Sequence, residues 1–126
     1  MVVHGEPGLD EISPLGLTSV REVRDGHTAD WKIDPAHYGL HALSTADLDG
    51  AAPEDNARTI EAVLQGGGLP GAQAAVLLNA AAALYLSRDD MTYGDAVALT
   101  RDALRDGLGF VALERLRAAS KRAVAL

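Results

Sequence analysis

The strongest structural signal in the 126-residue chain is the stretch Val2-Val3-His4-Gly5-Glu6-Pro7-Gly8-Leu9-Asp10-Glu11-Ile12-Ser13. Val2 and Val3 predict the end of a buried parallel strand, and a glycine-containing loop follows them. In open α/β sheets, ligands bind beside the loops that follow the carboxyl ends of strands. The stretch therefore predicts an α/β fold with a candidate site in this loop.

Asp10 and Glu11 are the candidate metal ligands of the loop. Adjacent carboxylates on irregular backbone can point in different directions, and hard oxygen ligands of this kind suit a Mg²⁺ ion that bridges to substrate phosphates. The glycines allow the backbone to come close to a bound group. A solvated acidic loop in which Glu11 caps a short helix explains the same residues, because an Asp-Glu pair has no motif value by itself.

Residues 19–33 predict a β-hairpin around Asp25-Gly26, the dipeptide that supplies the positive φ angles of a type I′ turn. The second run alternates as a half-buried antiparallel strand does. Its predicted inward residues are Ala29, Trp31 and Ile33.

Residues 53–126 are rich in Ala and Leu and predict four helices. The first begins at Pro53 and ends before Gly66, and its apolar stripe consists of Ile60, Val63 and Leu64. The second, from Pro70 to about Ser87, is apolar on every side, so we expect other elements to cover it all round.

The third helix is predicted to begin after a Thr92 cap and to stop at Gly107. The fourth covers residues 110–120, with Leu113 and Leu116 directed inward. One short strand, one hairpin and four helices do not make a closed core. We therefore expect the remaining strands of the sheet to lie upstream of Met1.

Composition excludes several classes of function. Eleven basic against 18 acidic residues give a net charge of −7, which disfavours nucleic acid as a partner. The absence of cysteine excludes disulfides and thiolate chemistry, and is compatible with a reducing compartment. The chain shows no targeting signal, and its most apolar stretch is too short for a bilayer span, so we expect a cytoplasmic protein without membrane contact.

Residues 2–13 resemble the segment that carries the paired acidic metal ligands in the anthranilate phosphoribosyltransferase family. Pro7 and Ala51 depart from the family pattern, but neither is a proposed ligand. The likeness extends over essentially the whole chain through Asp34-Pro35, Gly39-Leu40, Asp47-Leu48 with Gly50, Pro53-Glu54 with Asn56-Ala57, and Leu77-Leu78-Asn79-Ala80-Ala81.

The resemblance implies the carboxyl-terminal section of a glycosyltransferase-like or phosphoribosyltransferase-like α/β domain, without its upstream strands and its helical domain. Residues 1–40 would form the strand, metal loop and hairpin, and residues 53–126 the helical part. The implied reaction transfers phosphoribosyl from phosphoribosyl diphosphate to anthranilate in tryptophan biosynthesis, with Mg²⁺ held by Asp10 and Glu11. The family's substrate-binding motifs belong to the upstream section, so no catalytic or substrate-binding residue is assigned here.

The resemblance also implies a homodimer for the complete enzyme and no activity for the isolated chain. Two alternatives stay open: a non-catalytic interaction module, and part of an enzyme related to the pyrimidine nucleoside phosphorylases, which share this architecture.

Four other types of residue have structural explanations that we favour over a role in chemistry. His4 at a strand end suggests a structural hydrogen bond. Asn79 on an apolar helix suggests an amide that ties down the backbone of a neighbouring loop. Trp31 suggests hairpin core, and Ser13 has no His and carboxylate at nucleophile spacing. The remaining histidines show no ligand spacing and suggest surface positions: His27, His37 and His41.

Overall fold

The computed structural model describes residues 1–124, which form a three-stranded sheet followed by four α-helices. The hairpin and the four helices predicted from the sequence are confirmed. The strands are β1 (Val2–Gly5), β2 (Thr18–Arg24) and β3 (His27–Ile33), and the helices are α1 (Pro53–Leu64), α2 (Pro70–Leu86), α3 (Tyr93–Arg105) and α4 (Leu108–Val124). Short 3-10 helices occupy Pro35–Tyr38 and Thr45–Leu48.

The sheet has the order β1-β2-β3, and both pairings are antiparallel. Asp25 and Gly26 have φ angles of 51° and 76°, the two positive values that a type I′ turn requires. The turn sets a register in which Val20 lies opposite Trp31 and Thr18 opposite Ile33. The side chains of these four residues therefore lie on the inward face of the hairpin. The predicted inward face is confirmed at Ile33, which is buried, whereas Ala29 near the turn is exposed.

The prediction of a buried parallel strand at Val2 and Val3 is wrong, both in the direction of its pairing and in the burial of Val2. Strand β1 runs antiparallel to β2, with Val2 opposite Arg21 and Val3 opposite Val20, and the Val2 side chain is 71% exposed. The reason lies in the following loop, in which the Glu6 amide donates to the Leu17 carbonyl at 2.9 Å. This bond returns the chain alongside β1 instead of leading it away into a helix.

A hydrophobic core joins the inward face of the sheet to helices α2 and α3. From the sheet side it contains Val20, Ile33 and the loop residue Ile12, each at most 2% exposed. The helices contribute Leu77, Leu78, Ala81, Tyr93, Ala96 and Val97. The many alanines place α2 and α3 close together, so that few large side chains are needed between them.

Helix α2 is buried on one side only, contrary to the expectation that all its sides would be covered. Within residues 1–124, its Val76 is 41% exposed, and Ala80 and Ala83 are also exposed. Two other inward predictions are wrong: Ile60 of α1 is 55% exposed and Leu116 of α4 is 65% exposed. The reason is that α1 and α4 pack on each other near Leu64 and Gly109, so only part of each apolar stripe meets a partner.

Two helix starts are fixed by side-chain caps. The Thr92 hydroxyl accepts a hydrogen bond from the Asp95 amide at 3.1 Å, and the Asp95 carboxylate accepts one from the Thr92 amide at 3.1 Å, so the predicted cap of α3 is confirmed. Helix α2 is capped from outside its own segment. The Asp47 carboxylate accepts from the Gly71 amide at 2.9 Å. None of the helices described is long and apolar enough to cross a bilayer.

The Glu22 carboxylate is buried between the sheet and α2, a feature that the sequence analysis did not identify. It is 7% exposed and accepts hydrogen bonds from Trp31 Nε1 at 3.0 Å, Tyr85 OH at 2.9 Å and Arg24 Nε at 2.9 Å. Burial alone would raise the pKa of Glu22, but the hydrogen bonds from Tyr85, Arg24 and Trp31 outweigh burial and lower this pKa below its ordinary value. Trp31 is half-buried and packs against the hydrophobic core, which confirms its predicted place in the hairpin core.

Replacing Glu22 tests whether this cluster supports the fold. Because its pKa is lowered in the folded state, its contribution is complete above the ordinary value of 4.5 and is lost as the pH falls below it. We expect Glu22→Gln to lower the free energy of unfolding by about 2 kcal/mol at pH 7. The difference in this free energy between the variant and the unmodified chain should narrow below pH 4.5. Urea unfolding followed by circular dichroism measures both quantities, with the exposed Glu54→Gln as control. A difference that stays constant down to pH 3 contradicts the assignment.

Candidate functional site

The candidate site is the acidic turn, defined here as Asp10 and Glu11 in the loop between β1 and β2. Both side chains are exposed. The residues on either side turn inward, since Leu9 is half-buried and Ile12 is 2% exposed in the core. The two carboxylates therefore lie on the surface of a loop whose flanks are anchored in the protein.

The loop folds back over Gly5 at its base. The Gly5 amide donates to the Leu9 carbonyl at 2.9 Å, and the Gly5 carbonyl accepts from the amides of Gly8 and Leu9 at 2.8 and 2.7 Å. A Cβ atom on Gly5 would lie 2.6 Å from the Glu11 carbonyl oxygen and 2.7 Å from the Ser13 Cβ. Glycine is therefore required because the backbone of the acidic turn passes directly against it.

Ser13 closes the far side of the loop. Its hydroxyl donates to the Glu6 carbonyl and accepts from the Leu15 amide at 3.0 Å, and its own amide donates to Thr18 Oγ1 at 3.0 Å. The Ser13 side chain is fully buried. These contacts give Ser13 a structural role, in agreement with the absence of a nucleophile pattern in the sequence.

Asn79 of α2 holds the loop from the helix side. Its Oδ1 accepts from the Ile12 amide at 3.0 Å, and its Nδ2 donates to the Ile12 carbonyl at 2.9 Å. The second Nδ2 hydrogen goes to the Ala75 carbonyl at 2.9 Å within α2. The prediction that Asn79 ties down the backbone of a neighbouring loop is confirmed.

The histidines lie apart from the acidic turn. His4 is exposed on β1, opposite Ser19 of β2, and the structural hydrogen bond suggested for it stays a prediction. His27, His37 and His41 are also exposed, so their predicted surface positions are confirmed.

The chemistry of the acidic turn fits a magnesium ion that is shared with a substrate. Within residues 1–124, no three His, Cys, Asp or Glu side chains converge as a closed metal cage would require. Mg²⁺ usually keeps several waters and is held by one or two carboxylates together with substrate phosphates. Asp10 and Glu11 supply two such donors, and a Cβ atom built on the nearby Gly8 would meet no atom within 4 Å. The space beside Gly8, two residues before Asp10, is thus open.

The acidic pair and Asn79 could be identified from the sequence, because two carboxylates in a glycine-containing loop and an amide on an apolar helix both stand out by residue type. It did not identify Gly5 or Ser13 as supports of the turn. Both act through contacts that depend on the path of the loop. The signal available for Gly5 was its place between a strand and a loop, which many glycines share.

Comparison with known proteins assigns the class to which this arrangement belongs. Residues 1–110 match a family model described as the a/b domain of a glycosyl transferase family, and the chain belongs to that family. The relatives found by sequence are named anthranilate phosphoribosyltransferase. The protein of Shewanella amazonensis is 39% identical over 122 residues, which is 97% of this chain and 35% of the relative. That of Methylobacterium nodulans is 42% identical over 118 residues, covering 94% of this chain and 35% of the relative.

Solved structures show the same likeness. Anthranilate phosphoribosyltransferase from Saccharomyces cerevisiae in complex with 4-fluoroanthranilate superposes with a TM-score of 0.76 at 26% identity, over 89% of this chain and 33% of that chain. The same yeast enzyme in complex with PRPP and Mg gives a TM-score of 0.75 at 26% identity, over 89% and 32%. The chain thus spans about a third of the length of the relatives it matches.

Adding a methyl group at Gly5 tests the close packing beneath the acidic turn. We expect Gly5→Ala to lower the free energy of unfolding by about 2 kcal/mol or more, because the Glu11 carbonyl must move to admit the new Cβ. Gly50→Ala is the matched control, since a Cβ there would meet only Asn56 Nδ2 at 3.9 Å. Urea denaturation of the two variants measures the difference. Equal stability of the two variants would show that the loop does not lie against Gly5.

Proposed function

We propose that this chain is a section of an anthranilate phosphoribosyltransferase and that Asp10 and Glu11 are its magnesium ligands. The reaction would transfer the phosphoribosyl group of phosphoribosyl diphosphate to the amine of anthranilate, in tryptophan biosynthesis. The observation that carries the proposal is the exposed acidic turn on a loop anchored at Gly5, Ser13 and Asn79. The names of the relatives, and the PRPP and Mg complex of the yeast enzyme, support it.

The charge of the turn is suited to the leaving group of this reaction. Diphosphate departs from the anomeric carbon with developing negative charge, and a magnesium ion, when bound, neutralises such charge. Asp10 and Glu11 would hold the ion from the protein side and leave its other positions open to phosphate oxygens and water. The anchored backbone would keep the two carboxylates in place, so that little reorganisation accompanies the reaction.

The rest of the reaction needs positioning more than activation. The amine of anthranilate is nucleophilic in its neutral form, so the protein has to bring the two substrates together and stabilise an oxocarbenium-like ribosyl centre. We assign neither task to residues of this chain. The chain spans a third of its relatives' length, and we place the substrate-binding groups in the section that it does not match.

Three further proposals follow, one on the isolated chain and two on the complete enzyme. The isolated chain has no transferase activity, the complete enzyme is a homodimer, and it works in the cytoplasm. The alternative of an enzyme related to the pyrimidine nucleoside phosphorylases has less support, because the relatives found by sequence bear the name of the anthranilate enzyme.

A fragment-assembly assay tests the proposal. The chain is joined to the upstream two thirds of the Methylobacterium nodulans relative, in place of that relative's matching section, and consumption of anthranilate is followed by its fluorescence. We expect no activity from the chain alone and Mg²⁺-dependent activity from the assembled enzyme. Asp10→Asn with Glu11→Gln should lower that activity about 10²-fold, because the electrostatic support of the leaving group is lost.

The control for this pair is Asp25→Asn with Glu54→Gln, which removes two exposed carboxylates elsewhere and changes the net charge equally. It should retain the activity of the assembled enzyme. Full activity in the Asp10 and Glu11 double variant would contradict the metal assignment. An assembled enzyme that folds but consumes no anthranilate would contradict the proposed reaction and favour an interaction module.

A further inference from the structure

We infer that Asn79 is a positioning residue of the proposed magnesium site, acting on Asp10 and Glu11 through the backbone of Ile12. The inference rests on the function proposed above and adds to it a residue of helix α2. Asn79 lies 67 positions along the chain from Ile12, yet both polar ends of its amide meet that one residue. A side chain placed only to fill space in the helix packing would not need this double contact.

The amide of Asn79 is fully committed by its hydrogen bonds. Its oxygen accepts from the Ile12 amide, and its two Nδ2 hydrogens go to the carbonyls of Ile12 and Ala75. The bond to Ala75 lies within α2 and fixes the rotation of the amide plane relative to the helix axis. The Ile12 backbone is thereby fixed relative to helix α2, which is part of the core.

From Ile12 the constraint passes directly to the acidic turn. The residue before Ile12 is Glu11, whose carbonyl oxygen lies only 2.6 Å from the position that a Cβ of Gly5 would take. The Ile12 side chain is buried in the core. The peptide that joins Glu11 to Ile12 is therefore held by Gly5 on one side and by Asn79 on the other, and the turn has little freedom to shift.

The residue type at position 79 is costly for the helix and suited to the contact. Asn is a weaker helix former than the alanines that surround it in α2. An asparagine amide offers one acceptor and two donors at the end of a short side chain, whereas Ala offers neither and Asp only acceptors. The clamp on Ile12 offsets that cost.

The chain contains a matched control for this contact. Asn56 of α1 clamps Ala51 in the same way, with Oδ1 accepting from the Ala51 amide at 2.8 Å and Nδ2 donating to the Ala51 carbonyl at 3.0 Å. Ala51 belongs to a different loop from the acidic turn. Removing the Asn56 clamp therefore breaks the corresponding pair of backbone hydrogen bonds, at a more exposed position, without touching the proposed ligands.

The test compares Asn79→Ala with Asn56→Ala in two measurements. In the isolated chain, amide hydrogen exchange should speed up at Ile12 in the first variant and at Ala51 in the second. In the assembled enzyme, in which the chain is joined to the Methylobacterium nodulans relative, Asn79→Ala should raise the Mg²⁺ concentration for half-maximal rate about tenfold. Loss of residues that orient metal ligands has effects of this size. The rate at saturating Mg²⁺ should stay within about twofold, and Asn56→Ala should leave both quantities within about twofold.

The outcomes separate this inference from the proposed function. If Asn79→Ala shifts the Mg²⁺ dependence no more than Asn56→Ala does, while Asp10→Asn with Glu11→Gln lowers activity about 10²-fold, Asn79 has no positioning role and the metal assignment stands. If the double variant keeps full activity, the metal assignment and the positioning role of Asn79 are both wrong. Should Asn79→Ala fail to fold, Asn79→Gln retains an amide, one methylene further out, and favours the helix. It should raise the Mg²⁺ requirement severalfold, and an unchanged requirement overturns the inference.

Discussion

The loop between β1 and β2 lies so close to Gly5 that a side chain at this position would force the loop backbone to move. A Cβ atom would lie 2.6 Å from the Glu11 carbonyl oxygen. Three features depend on this approach. It lets the Gly5 amide and carbonyl close the loop, it buries Ile12 in the core, and it returns the chain so that β2 pairs antiparallel with β1. The exposed position of Asp10 and Glu11 follows from the same path.

Helix α2 connects this loop to the hairpin. Near its middle, Asn79 bonds to both backbone polar groups of Ile12, and near its end the Tyr85 hydroxyl donates to the buried Glu22 carboxylate of β2. Both contacts lie on a 17-residue helix without a single charged side chain. The helix thus relates the acidic turn and the sheet through a few polar contacts set in an apolar surface, where each hydrogen bond is stronger than it would be in water.

Features with local causes could be predicted from the sequence. The hairpin turn follows from the positive φ angles that Asp25-Gly26 tolerates, and the start of α3 follows from Thr92 with Asp95 three residues later. The tie from Asn79 could also be predicted, because an amide on an apolar helix needs partners. Asp10 and Glu11 could be singled out as candidate ligands by residue type and by resemblance to a family.

Features that depend on the path of the chain could not be predicted. The antiparallel pairing of β1 arises from the loop closure over Gly5 together with the bond from the Glu6 amide to the Leu17 carbonyl. Hydrophobicity alone predicts a buried parallel strand at Val2 and Val3. Burial of Glu22 requires donors from β2, β3 and α2 at once. Apolar stripes also predict burial without saying whether a partner meets every residue, so Leu116 and Val76 lie more exposed than their pattern indicates.

Under the proposed function, the anchored acidic turn holds the divalent cation of a phosphoribosyl transfer. Anomalous diffraction from a crystal of the assembled enzyme with Mn²⁺ and phosphoribosyl diphosphate would locate that cation. The result expected is an anomalous peak within coordination distance of carboxylate oxygens of both Asp10 and Glu11. Fully bound phosphoribosyl diphosphate whose cations all lie away from these two side chains would contradict the assignment of Asp10 and Glu11 as metal ligands.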